Sequence, residues 1–225
     1  MFFAIAFFTE LFLLFLLSKK LTRLLSMYFY SATRSKKATI YYLAILFFPG
    51  TFVHELSHYI MALLLNVRVG NMEFFPEVQE HSVKLGSVSI AHTDPFRRLL
   101  IGMAPFLFGT AIILGLLYAG SMNDLFGTYW FLILTGYAVF EIGNTMFSSR
   151  KDMEGALELL LVLFVLTLVF YLAGLRLPAF NPNVIFGQPL VAKIFEKGSY
   201  FLLLPLGIDC LLLIILSFFR RRKTL

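Results

Sequence analysis

Thr51-Phe52-Val53-His54-Glu55-Leu56-Ser57-His58-Tyr59-Ile60-Met61 is the stretch on which the reading of this chain turns. Within it, His54-Glu55-Leu56-Ser57-His58 forms an H-E-x-x-H sequence, set inside an apolar run over residues 40–65. On a helix, His54 and His58 stand one turn apart on the same face, so two imidazoles can bind one metal ion. Glu55 lies beside them, placed to take a proton from a metal-activated water rather than to ligate the metal. That is the motif of zinc hydrolases. The competing reading is a buried His/Glu cluster that satisfies itself without metal. Ionisable groups in a membrane-length apolar segment cost about 2–3 kcal/mol per charge and are rarely idle, which favours the metal.

The surroundings of the motif set its solvent. The chain has 225 residues, 59% of them hydrophobic, with mean hydropathy +0.83 and only 14% charged. A soluble domain of this size would not hide so much apolar surface, so lipid is the expected solvent. A net charge of +6 raises the question of nucleic acid. The basic residues flank apolar segments, however, and anchoring at lipid head groups explains them better. Lys and Arg divide almost evenly between the two sides of the expected topology, so charge bias assigns no orientation. The single cysteine, Cys210, excludes an intrachain disulfide.

Working outward along the chain, the sequence predicts one integral domain over residues 1–225, with no soluble appendage. The fold class is all-α, a polytopic membrane protein of about six transmembrane helices with a small β-hairpin after the second. The spans are expected at 2–17, 40–65, 95–119, 125–147, 153–175 and 199–219. Glu10 interrupts the first, facing either a polar interior or the membrane edge. Residues 18–39, rich in Lys and Arg, are expected as an interfacial loop. Pro49-Gly50 should kink the second helix just before His54 and admit water there. Residues 67–74 and 83–90 alternate in polarity, the period of half-buried strands, and predict the hairpin. Its edge would suit an extended peptide held by strand addition. Gly102, Pro105 and Gly109 would let the third helix approach its neighbours closely. Residues 176–198 are expected to be interfacial, because Pro178, Pro182 and Pro189 oppose a long helix.

Two histidines do not complete a catalytic zinc site, which calls for three protein ligands and a water. His81, His92, Glu141, Asp152 and a few further carboxylates are the candidates. With six alternating spans, the C-terminal ends of the second and fourth helices share one side, where His58 and Asp152 both sit. His81 and His92 reach that side on the hairpin, where fixed ligand geometry is harder to hold. Asp152 is therefore the preferred third ligand. Its alternative is an interfacial acid paired with Arg150 or Lys151.

Together these features resemble the site-2 protease family of intramembrane zinc metalloproteases, over residues 40–175. That family joins H-E-x-x-H on one transmembrane helix to N-x-x-P-x-P-x-L-D-G on a later one. Asn144 and Asp152 have the same separation of eight here. Both prolines are absent, Lys151 replaces the Leu, and the glycine comes as Gly155 instead of directly after Asp152. The hairpin is similar to the family's re-entrant β-loop, and Gly102-Met103-Ala104-Pro105 to its third core helix. The resemblance implies one Zn²⁺ per chain, held by His54, His58 and Asp152, with Glu55 as general base and Asn144 contacting the substrate backbone. It further implies hydrolysis of peptide bonds in or near transmembrane segments of membrane-protein substrates, by a multi-pass protein of the cell membrane. Two rival expectations stand beside it. An ion or metal transporter would also place His, Glu and Asp within spans. A non-catalytic membrane scaffold would bind no zinc.

Overall fold

No glycine or proline occurs before Pro49, so nothing in the first residues interrupts a helix once begun. The computed structural model describes residues 2–73, 77–78, 83–84, 87–147, 149, 152, 154–172 and 188–222, and α1 runs over Phe2–Thr33. The basic segment expected as a loop is thus largely the second half of α1. Arg34, in the left-handed region at φ 54°, ends it. Ser35 then caps α2 (Lys36–Leu46), its hydroxyl accepting from the Ala38 N–H.

The expected kink is a full break. The chain bends by 72° between α2 and α3 (Phe48–Leu64), at Phe47. Pro49 opens α3, where a missing N–H costs nothing and a fixed φ suits the first turn. Gly50 permits a close approach to α5 (Tyr129–Thr145): a Cβ there would run into the Thr145 hydroxyl and the Glu141 carbonyl.

After α3 comes the expected hairpin. β1 (Val69–Glu73) pairs antiparallel with β4 (Ser87–Ile90), in register Val69 to Ile90 and Glu73 to Ser87. Between them β2 (Glu77–Val78) pairs with β3 (Val83–Lys84). Val67 and Ile101 are buried with Ala62, and Val69 and Ile90 pack against them, which docks the base of the hairpin on α3. Asp94 caps α4 (Pro95–Met122), its carboxylate accepting from the Arg97 N–H at 3.0 Å. A 3₁₀ turn (Leu125–Gly127) leads into α5; α6 (Glu154–Leu172) follows.

The last helix, α7 (Pro189–Arg222), starts ten residues earlier than expected. Pro189 opens it rather than blocking it, for the same reason as Pro49. Residues 176–187 of the expected interfacial stretch lie outside the described residues. Leu14, Ile113, Val139 and Leu202 are fully buried together, so α1, α4, α5 and α7 share one apolar core.

Among the described residues, three helices (Phe2–Thr33, Pro95–Met122 and Pro189–Phe218) are long and apolar enough to cross a membrane, or four with the bent α2–α3 pair. Six were expected. The 17 residues of α5 reach only about 25 Å at 1.5 Å per residue, short of a hydrocarbon core of about 30 Å. Helix direction also departs from simple alternation. Glu10 of α1 meets Ser199 of α7, and farther along both helices Ser18 and Asp209 meet the same residue, Asn144. The contacts ascend together, so α1 and α7 run parallel, where six alternating spans would have made them antiparallel.

Candidate metal centre

One turn of α3 carries both histidines, and two neighbouring helices fix their rings. The Nδ1 of His54 lies 2.7 Å from the Thr145 carbonyl oxygen at the end of α5. The Nδ1 of His58 lies 2.8 Å from the Ile101 carbonyl oxygen near the start of α4. A carbonyl can only accept, so each Nδ1 carries the proton and donates. In a neutral imidazole that leaves Nε2 with a free lone pair, the tautomer a metal needs, oriented by the bond on the far side of the ring. The two Nε2 atoms are 3.3 Å apart.

Asp152 completes the group from the turn after α5. Its Oδ1 is 3.6 Å from the His58 Nε2 and its Oδ2 is 3.8 Å from the His54 Nε2. Ligand atoms of the three residues all lie within 4.8 Å of one another. Metal–ligand bonds of about 2.1 Å in a tetrahedral shell separate donors by about 3.4 Å, so the two nitrogens and the carboxylate fit such an ion. Two observations explain why Asp152 is there. The Ser149 N–H donates to its Oδ2 at 2.6 Å, and its own N–H donates to the Ser149 hydroxyl at 3.3 Å. On α4, Gly102 leaves room for the Asp152 backbone; a Cβ there would run into the Asp152 carbonyl oxygen. Burial pulls the Asp152 carboxyl up, while the hydrogen bonding from Ser149 holds it down, below the ordinary carboxylate range.

The other residues singled out by the sequence have separate places. Glu55 is buried on α3. Asn144 stands outside the donor group: its amide NH₂ donates to the Phe140 carbonyl at 2.9 Å and to Asp209 Oδ1 of α7 at 2.8 Å. Its Oδ1 is buried, with no hydrogen-bond partner among the described residues. Glu141 is fully buried beside the start of α3, where its Oε2 accepts from the Gly50 N–H at 3.4 Å, and does not join the metal group. Glu10 accepts from the Ser199 hydroxyl at 2.8 Å, away from the donors. His92 is exposed before α4, and His81 lies outside the described residues.

Sequence reasoning missed the residues that support the ligands. The Thr145 and Ile101 carbonyls are backbone atoms and carry no signature. Asp209, which holds Asn144 rather than a ligand, did have one, a lone acid in an apolar stretch. No family model, curated protein or solved structure matches this chain.

Proposed function

We propose that this chain is an integral membrane zinc metalloprotease that cleaves membrane-protein substrates within or beside their transmembrane segments. The observation that carries the reading is the convergence of His54 Nε2, His58 Nε2 and the Asp152 carboxylate, with both Nδ1 atoms committed to carbonyls. Nitrogen and oxygen donors in this number suit zinc, with a fourth position left for water. The long apolar α1, α4 and α7 favour the bilayer as the surrounding medium. Zinc bound there supplies a Lewis acid that acidifies a water molecule and polarises a carbonyl.

The chain's own residues do the rest. Glu55 is the general base, taking a proton from the attacking water and returning it to the leaving amine. Its burial limits competing hydration of the carboxylate. β1 and β4 pair with each other in a two-stranded sheet next to α3, and a free sheet edge is suited to holding an unwound substrate strand. With its amide N–H groups committed to Phe140 and Asp209, Asn144 could meet a substrate backbone N–H only through its Oδ1. The test is Glu55→Gln in purified, zinc-loaded protein. Cleavage of transmembrane substrates should stop while about one zinc per chain remains, and continued cleavage would overturn the assignment.

A second reading has its own support. Glu10, Glu141 and Asp209 each hold a buried carboxylate oxygen without a hydrogen-bond partner among the described residues, as ion or proton paths do. A transporter would move zinc or protons into liposomes, and would do so in Glu55→Gln as well.

A further inference from the structure

Beside the metal centre lies an open cleft of about 480 Å³. One wall is a continuous face of α1: Phe15, Ser18, Lys19, Thr22, Arg23 and Ser26, at the three- and four-residue spacing of a single helical stripe. The opposite wall is Leu43 of α2 with Asn144, Phe147 and Ser149. Ser149 is the residue whose N–H holds the Asp152 carboxylate, so the cleft ends one hydrogen bond from a metal ligand. This polar stripe of α1 faces the cleft. The Lys19 ammonium sits 4.0 Å over the Phe15 ring, which keeps the charge against the wall. Among the described residues no carboxylate lines the cleft, and none pairs with Lys19 or Arg23. Lys20, one position along, is exposed outside it.

We propose that this cleft is a specificity pocket for an acidic side chain, Asp or Glu, of the polypeptide substrate close to its scissile bond. The proposal rests on the protease reading of the adjacent centre. Two cations uncompensated among the described residues, with the Thr22 hydroxyl between them, match a carboxylate in charge and hydrogen-bond sense. A peptide is favoured over a lipid head group because the cleft is contiguous with Asn144 and the Asp152 turn. A head group would be met equally by Lys20.

The test uses full-length protein on the Glu55→Gln background, in nanodiscs of zwitterionic lipid. The probes are single-span peptides differing only in Glu, Gln or Lys at the end of the span, with binding read by fluorescence anisotropy. The Glu peptide should bind about fivefold tighter than the Gln peptide, the size of a partly exposed ion pair. Lys19→Glu/Arg23→Glu should invert the order in favour of Lys, and Lys20→Glu should leave it unchanged. Equal binding of the three peptides would overturn the proposal. So would a Glu preference that Lys20→Glu weakens as much, or that added anionic lipid abolishes, since either result assigns the charge effect to the lipid surface. Charge-selective binding with no cleavage by the wild type would overturn the protease reading while upholding the cleft. Cleavage with no charge preference would do the reverse.

Discussion

The two halves of the candidate metal centre are built differently. His54 and His58 belong to one helix, so their separation follows from the helical repeat, and carbonyls of α5 and α4 fix their rings. Asp152 sits on a turn and owes its place to a hydrogen bond from Ser149 and to the missing side chain of Gly102. The helix-borne half is set by local geometry. The turn-borne half is set by tertiary packing, and substitutions away from the ligand should disturb it first.

The largest expected effect falls on the helical half. His58→Ala removes a ligand that α3 cannot replace, and zinc should be lost from purified protein by elemental analysis, a loss of affinity above about 100-fold. Zinc retained at wild-type level would mean that the histidine pair does not hold it. Next comes Gly102→Ala, which pushes on the Asp152 backbone without touching a donor. Zinc affinity by chelator competition should fall about 10–100-fold, the range for residues that support ligands. Gly115→Ala, on the same helix where a Cβ meets nothing within 4 Å, is the control and should leave affinity unchanged. Equal behaviour of the two variants would remove the proposed distinction between the halves. The smallest effect belongs to Ser149→Ala. It removes the hydroxyl that accepts from the Asp152 N–H but keeps the N–H donated to Oδ2, so affinity should change by less than about threefold.

The same contrast explains what could be read from the sequence. H-E-x-x-H is a spacing rule on a helix, so it placed both imidazoles. Alternating polarity located the β1–β4 hairpin, because strand periodicity is a local property. The helix-end argument for Asp152 depends on six alternating spans; in the fold, α3 and α5 meet at His54 and Thr145. The six-span alternation behind that argument differs from the observed fold. Lys and Arg in residues 18–33 suggest a loop, yet nothing there breaks a helix, and Pro189 suggests a block, yet proline is well suited to a first turn. The carbonyls behind the histidines and the Asn144–Asp209 link join residues distant in sequence, and no local pattern encodes them.

The central claim is that two imidazoles and the Asp152 carboxylate together hold zinc. It is tested most directly by zinc content per chain in detergent-purified wild type and Asp152→Ala, measured in parallel. About one zinc in the wild type, and a weakly held or absent zinc in the variant, is the predicted result. Zinc unchanged by Asp152→Ala, or no zinc in the wild type, would contradict it.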